Sequence, residues 1–279
     1  MKGDKSLNKA TIARFCIIER LLFWEGEVNA TRLAALFGIT FGNATLIVAN
    51  YRELHPDSLT YNQVAKVFEP GPSFELHYAT PHWADYESFL FVNQKTYMDN
   101  MWPIDSVTLS NFDLNAPDKE IVRLLTKSIR NSLSMIVKYH SMNHPDGIER
   151  TIHPRAIAYS GLRWHCRAYD ELNNRFSDFN LGRITEGKII GKSSIDVEDE
   201  FWVNFIKLEV GPHPALNKAQ QRLVMMDKPH SEQFEITTRA AMANYVLDFY
   251  QIAHHPEQHP PHVRPLVLLN FNSVEEYLF

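Results

Sequence analysis

The chain has 279 residues, of which 44% are hydrophobic and 22% charged, and its formal net charge is -5. This length exceeds a typical single domain and predicts two or three domains, each with its own core. The acidic balance excludes a protein that coats nucleic acid over its whole surface, because such binding requires Lys and Arg to neutralise phosphates. Residues 1–70 carry eight Lys and Arg against seven Asp and Glu, so a local DNA-binding module remains compatible with the composition.

The two cysteines, Cys16 and Cys166, both lie in apolar patterns, where cysteine acts as a small hydrophobic residue. Without a disulfide framework, the sequence indicates a reducing compartment. No apolar run has the length needed to cross a bilayer, and residues 1–5 lead into an amphipathic helix instead of a signal-peptide core. We therefore expect a cytoplasmic protein with no membrane partner.

Residues 1–72 are predicted to form the first domain, a winged helix-turn-helix. A first helix over residues 11–24 has apolar residues at helical spacing. Asn29 is a suitable N-cap for a second helix, which Gly38 ends, and Thr40 is a suitable N-cap for a third. Two helices joined by a short turn with glycine are typical of a helix-turn-helix. Taken alone, the segment is equally consistent with a plain helical subdomain.

A hairpin with strands over residues 59–61 and 64–68 is predicted to follow as the wing. The residues that we expect to contact DNA lie in the second helix, at the start of the third and on the wing: Arg32, Thr40, Phe41, Asn43, Thr45 and Lys66. Asn pairs bidentately with adenine, and Thr or an apolar group contacts the thymine methyl. Lysine on the wing binds phosphate and carries no sequence information.

Residues 73–131 are predicted to form a linker and a helical connector, with helices over residues 82–101 and 118–131. Residues 132–194 then contain short, evenly spaced strands, a pattern that favours a small barrel or sandwich. The predicted strands are residues 134–142, 149–152, 156–159, 162–169, 176–179 and 181–184.

The strand over residues 162–169 alternates basic and aromatic side chains. Successive side chains of a strand face opposite sides, so one face is predicted to carry Arg163, His165, Arg167 and Tyr169. This row suits an anion, because the planar guanidinium group binds phosphate oxygens in pairs. Each residue alone is equally consistent with a solvated face or a structural ion pair.

Residues 195–279 are predicted to form a third unit with a strand over residues 201–208 and helices over residues 217–223 and 239–250. Four histidines lie close together in it: His254, His255, His259 and His262. Prolines between them interrupt any helix that would present them on one face, and no Cys or paired carboxylate joins them, so we predict no metal site. The acidic run at residues 196–200 is interpreted as a solvated loop. No nucleotide-binding loop, nucleophile elbow or dinucleotide motif is present, and we expect neither enzymatic activity nor a cofactor.

Three groups of residues resemble the WYL-domain family of bacterial transcriptional regulators, in particular the BrxR and CapW group of phage-defence islands. They are Phe37-Gly38-Ile39-Thr40 with Asn43-Ala44-Thr45; Trp164-His165-Cys166 with His153-Pro154-Arg155 and Asn180-Leu181-Gly182-Arg183-Ile184; and Gly211-Pro212-His213-Pro214. The chain departs from the group's usual residues at Gly42, Asn43, Ile47 and His165. The resemblance implies an α+β fold with an N-terminal winged helix-turn-helix, a central Sm-like or SH3-like β-barrel over residues 132–194, and a C-terminal α/β dimerisation domain.

The resemblance also implies a function, namely a homodimeric repressor of a phage-defence operon that binds an inverted-repeat operator in double-stranded DNA. Its central domain is expected to sense an anionic nucleotide or nucleic-acid effector. By position, the ligand-binding residues are Tyr139, Ser141, Arg155, His165, Arg167 and Arg183. The alternative is a binding module or processing enzyme that uses the same basic pocket on single-stranded nucleic acid.

Overall fold

A computed structural model describes residues 7–93, 117–226, 228 and 232–278. The chain divides into two compact units, residues 1–154 with 181–192 and residues 155–180 with 193–279. No single helix among the described residues is long and apolar enough to cross a membrane, and the bent pair Ala30–Phe37 and Phe41–Leu54 meets that test only jointly, across a 110° bend.

Three helices open the first unit: α1 (Lys9–Glu25), α2 (Ala30–Phe37) and α3 (Phe41–Leu54). The predicted caps are confirmed, because the side chains of Asn29 and Thr40 accept backbone N–H groups of α2 and α3. Gly38 ends α2 with φ 63°, a left-handed conformation that glycine adopts without steric cost. The inner faces of α1, α2 and α3 share a core of fully or nearly fully buried residues: Phe15, Ile18, Leu22, Leu33, Ala44, Val48 and Tyr51.

Strands β1 (Leu59–Asn62) and β2 (Val67–Pro70) form the predicted antiparallel hairpin, and β2 also pairs with Val28 through Phe68. The second strand begins later than predicted. The Asn62 side chain accepts the backbone N–H groups of Val64 and Ala65, at 3.1 and 3.0 Å, which folds these residues into the turn. Lys66 closes the turn with φ 56°.

Helices α4 (Trp83–Asn93) and α5 (Lys119–Asn131) follow. The predicted helix over residues 82–101 is confirmed as far as Asn93, and the rest of it lies outside the described residues. The side chain of Asp118 caps α5 by accepting two backbone N–H groups. Helix α5 packs against α1, and the buried Ile121 and Leu125 lie on it.

Five strands form the central sheet: β3 (Leu133–Ser141), β4 (His144–Tyr159), β5 (Trp164–Asp170), β6 (Arg175–Asn180) and β7 (Ile184–Lys192). Their order is β6-β5-β4-β3-β7, and no closed barrel is formed within the described residues. Two predicted strands are in fact the single long β4. The predicted strand at residues 181–184 is instead a 3₁₀ turn, Leu181–Arg183, that leads into β7.

The C-terminal elements are α6 (Glu200–Val203), β8 (Phe205–Pro212), α7 (Lys218–Met225), β9 (Phe234–Arg239), α8 (Ala243–Phe249), β10 (Ile252–Ala253), β11 (Leu266–Leu268) and α9 (Phe271–Val274). Their sheet has the order β10-β11-β8-β9 over a core that includes Leu208, Val210 and Leu247. The strand predicted from residue 201 begins only at Phe205, because Asp199 caps a helical turn by accepting the Trp202 N–H.

Candidate functional site

The outward face of α3 is open to solvent. Thr40 is exposed and its hydroxyl accepts the Asn43 N–H at 3.3 Å. Phe41 is 61% exposed, and Asn43 and Thr45 are also exposed. The Thr45 hydroxyl donates to the Phe41 carbonyl at 3.0 Å. The N-cap and the three α3 residues predicted to contact DNA therefore lie on accessible surface.

The inner face of α3 is fixed by a buried carboxylate that sequence reasoning missed. The Tyr51 hydroxyl donates to Glu19 at 3.0 Å, and Glu19 has no exposed surface. Burial and the charge of Glu19 raise the pKa of Tyr51. Glu19 also accepts the backbone N–H groups of His77, Tyr78 and Ala79 at 2.8 to 3.1 Å. One carboxylate thus joins α1, α3 and the linker, and so sets the orientation of α3.

The predicted DNA contacts on the wing and on α2 differ in whether their charge is available to DNA. Lys66 is exposed at the hairpin turn, whereas the guanidinium of Arg32 donates to both carboxylate oxygens of Glu25, at 2.5 and 2.7 Å. Burial lowers the pKa of Arg32, but the bonds to Glu25 outweigh burial and raise it. The charge of Arg32 is therefore already compensated within the protein.

Glu25 is a hub that connects four helices. Besides Arg32, it accepts hydrogen bonds from the Tyr86 hydroxyl on α4, at 3.0 Å, and from Arg130 on α5. Arg123 of α5 reinforces the contact by donating to the carbonyls of Leu22 and Phe23. Since α5 also packs on β3 and β7, it physically joins the winged helix to these strands.

The basic row of β5 is not an open surface, which corrects the expectation from the alternating pattern. His165 and Arg167 are only 8% and 7% exposed. Arg167 donates to both oxygens of Asp199 at 2.7 and 2.9 Å, and to Asp178 at 3.3 Å. Burial lowers the pKa of Arg167, but the two carboxylates outweigh burial and raise it. Asp199, interpreted from sequence as part of a solvated loop, is instead buried against this guanidinium.

Residues around this pair extend the network within the second unit. Tyr245 donates to Asp178 at 3.2 Å and its ring lies 4.9 Å from that of His165. Burial raises the pKa of Asp178, although the charge of Arg167 opposes the shift. Arg155 donates to the Ile195 carbonyl at 2.7 Å. The structure therefore brings Arg155, His165 and Arg167 into one polar region, closed by residues 195–199.

The other three predicted ligand residues belong to the first unit. Tyr139 of β3 pairs with Ile184 of β7. Arg183 immediately precedes Ile184 in the sequence. Ser141 stands at the β3–β4 turn, where its hydroxyl accepts the His144 N–H at 3.2 Å. These positions place Tyr139 and Arg183 close together, with Ser141 at the end of the same strand.

The loop with the four C-terminal histidines is held by a further histidine, His213. His213 contacts the carbonyls of Pro256 and His259 through Nε2, at 2.9 and 3.2 Å, which holds the loop that contains the cluster. Across the part of the chain that the structure describes, no group of three or more His, Cys, Asp or Glu is arranged to hold a metal ion.

Comparison with known families matches all three parts of the chain. The winged helix-turn-helix domain of the BrxR transcriptional regulator matches residues 10–91, the WYL domain matches residues 120–189, and the BrxR C-terminal dimerization domain matches residues 205–274. The chain belongs with the BrxR- and CapW-like WYL-domain transcriptional regulators. The family resemblance inferred from the sequence is confirmed, and so is the presence of the three domains.

Curated relatives match nearly end to end. The DNA-binding transcriptional repressor CapW of Pseudomonas aeruginosa is 26% identical over 286 residues, covering 99% of this chain and 95% of the relative. CapW of Escherichia coli strain KTE188 is 26% identical over 282 residues, covering 98% and 93%. Among solved structures, proteasome accessory factor B/C of Arthrobacter aurescens matches at 10% identity with a TM-score of 0.26, and the chain spans 49% of its length.

Proposed function

We propose that this WYL-domain regulator is a sequence-specific transcriptional repressor that binds an operator in duplex DNA in the cytoplasm and is not an enzyme. The observation that carries the proposal is the division of α3, whose inner face is buried while Thr40, Phe41, Asn43 and Thr45 are exposed. A helix held in this way by a winged scaffold presents its first turns to base edges in the major groove. The name of the CapW relatives supports repression over activation.

The repressor is proposed to act as a homodimer, since its C-terminal region matches a dimerization domain. Two-fold symmetry in the protein requires an inverted repeat in the operator, with half-sites about 34–36 Å apart or at a multiple of that spacing. The target we propose is a phage-defence operon, in keeping with the BrxR and CapW group.

The central domain, which we propose to have the Sm-like or SH3-like architecture of the family, is the proposed sensor of an anionic effector. Asp199 already occupies the bidentate donor face of Arg167, so an effector phosphate would bind Arg167 by replacing this carboxylate. Replacement would release residues 195–199. The effector relieves repression only if it binds the DNA-free conformation more tightly than the operator-bound one.

The test is a gel-shift assay with duplex DNA from upstream of the protein's own gene, random duplex of equal length as control, and stated salt concentrations. We expect binding to the upstream duplex at least a hundredfold tighter than to the random duplex. Equal affinity for both duplexes, or tighter binding to the single strand of the same sequence, would contradict the proposal and favour the single-stranded alternative.

A further inference from the structure

The outward face of α3 contains no charged side chain from Phe41 to Asn50. The exposed residues of this stretch are Phe41, Gly42, Asn43, Thr45, Leu46, Ala49 and Asn50. The charged residues of α3, Arg52 and Glu53, are both exposed in its last turn. The Arg52 guanidinium lies over the Phe68 ring of the wing, and the Glu53 carboxylate is repelled by DNA phosphates. The first three turns are therefore the part of α3 that suits the groove.

Each base pair in the major groove is read by a particular side-chain chemistry. Guanine is read by Arg or Lys, cytosine by Asp or Glu, adenine by Asn or Gln, and the thymine methyl by apolar groups. The first three turns of α3 offer Asn43 and Asn50 as amides and Phe41, Leu46 and Ala49 as apolar groups, with no guanidinium, ammonium or carboxylate. This set of side chains matches A·T pairs and lacks the usual partners of G·C pairs.

Leu46 has the geometry of a direct contact. Ala44, Val48 and Tyr51 are buried, and at 3.6 residues per turn Leu46 lies near the centre of the opposite face. It is 61% exposed, so its apolar side chain is accessible to a base edge.

Gly42 independently indicates that the backbone of α3 approaches the DNA closely. A Cβ atom at this position would meet nothing within 4 Å, and the residue is not in the left-handed region. The fold therefore does not require glycine there, although glycine weakens a helix relative to alanine. Glycine does permit a backbone to approach a ligand closely, and Gly42 lies one turn before Leu46 on the same face.

We propose that α3 reads A·T base pairs, with Leu46 against a thymine methyl, Asn43 and Asn50 on adenines, and Gly42 providing clearance for the groove edge. This inference rests on the proposed DNA-binding function and adds the class of operator that the helix accepts. It assigns the specificity-determining position to Leu46, which the sequence analysis did not select.

The experiment compares operators in which single thymines are replaced by uracil, which removes only the 5-methyl group. At one position in each half-site, we expect wild-type affinity to fall about fourfold, the value of one buried methyl group. Leu46→Ala changes both protomers of the dimer, so it should bind the thymine operator about fifteenfold more weakly, and it should be indifferent to uracil at that position. Leu54→Ala is the matched control, since Leu54 is 50% exposed at the far end of the same helix, and it should retain the wild-type response to uracil.

A second variant tests whether Gly42 allows the edge of the groove to approach α3. Gly42→Ala should raise the melting temperature of the protein, because the helix is strengthened and the new methyl group meets no neighbour. Its operator affinity should nevertheless fall, while binding to random duplex is kept. Unchanged or tighter operator binding would overturn the role of Gly42.

Selection of duplexes from a random library separates this inference from the proposed function. Enrichment of A·T pairs at the uracil-sensitive positions supports it. Specific binding to sites with G·C pairs there, or uracil insensitivity at every position, would overturn the A·T inference and leave the repressor proposal intact. Absence of specific binding to any duplex would overturn both.

Discussion

The outward face of α3 and the basic row of β5 were both predicted as binding surfaces, yet the structure treats them differently. On α3, Asn43 and Leu46 stay exposed while the opposite face is buried. On β5, Arg167 is buried and held by Asp178 and Asp199. An uncharged surface is thus available to a partner, whereas a charged one is already paired within the chain.

The comparison shows that the period of a pattern identifies which side chains share a face, but not what covers that face. The inner face of α3 is also covered by distant residues, since Tyr51 contacts Glu19 32 residues away, but the opposite face is left open, so helical spacing is sufficient to separate inside from outside. In β5 residues of both faces are buried. In β5 the cover includes Asp199, which lies 32 residues further along the chain. Long-range partners of this kind leave no periodic signal in the sequence.

The largest effect is expected from Arg167→Met. It leaves Asp178 and Asp199 buried without their cation, and removal of one partner from a buried ion pair costs about 3–5 kcal/mol. Urea unfolding followed by tryptophan fluorescence should therefore show a strong loss of stability. Arg163→Met is the matched control, because Arg163 is exposed just before β5, and should change stability by less than about 0.5 kcal/mol. Equal stability of the two variants would show that the Arg167 network contributes little to the fold.

Asn43→Ala tests the open surface of α3. If Asn43 makes a bidentate contact with adenine, the binding free energy for the operator should weaken by about 1–3 kcal/mol for each half-site, and affinity for random duplex should be unchanged. Parallel gel shifts with both duplexes measure the difference. A loss of the same size on random DNA would show that Asn43 contacts the DNA phosphate backbone and not the bases.

Acidification should loosen the support of α3 more modestly. The His55 ring stacks on His77 at 4.2 Å and lies 3.0 Å from the Tyr78 hydroxyl; Glu19 is the nearby acidic group. Burial and the neighbouring His77 lower the pKa of His55 below its ordinary 6.5, although Glu19 opposes the shift. The unfolded chain then binds more protons than the folded one, so this contribution is present above pH 6.5 and is lost as the pH falls through the lower folded-state pKa.

The free energy of unfolding should therefore decline from pH 7.5 to pH 5.5 by less in His55→Gln than in the wild type. His144→Gln, which changes an exposed histidine of the β3–β4 hairpin, serves as control and should follow the wild-type curve. Identical curves for all three proteins would assign the acid sensitivity to other groups.

The smallest effect is expected from Lys66→Gln on the wing. Loss of one phosphate contact in each protomer of the dimer should weaken operator and random duplexes alike and reduce the slope of log affinity against log salt by about 2. Affinities measured at several salt concentrations give that slope. A loss confined to the operator would instead assign base readout to the wing.

Much of the first unit was predictable from sequence because its signals are local. Asn29, Gly38 and Thr40 mark the helix ends, and the buried residues of α3 recur at helical spacing. Glu19 and Glu25 could not be assigned, since each binds groups that are distant in the chain, such as Tyr51, Ala79 and Arg130. A glutamate on the apolar face of α1 was the available signal: an ionised side chain is buried only where it has partners.

The predicted ligand residues show the same division. The alternation in β5 placed His165 and Arg167 on one face, which the register with Asn180 and Asp178 bears out. The sequence did not indicate that Asp199 is buried against that face. Whether the six residues bind an effector remains a prediction.

The Glu25 hub has a practical consequence for anyone who wishes to excise the DNA-binding part. Glu25 is 5% exposed, and its cationic partners include Arg130, far beyond the wing. A fragment that ends after the hairpin retains the Glu25 carboxylate but lacks both Arg130 and Tyr86. The negative charge of Glu25 would then be only partly compensated near the core of the fragment. A minimal autonomous fragment should accordingly extend through the end of α5.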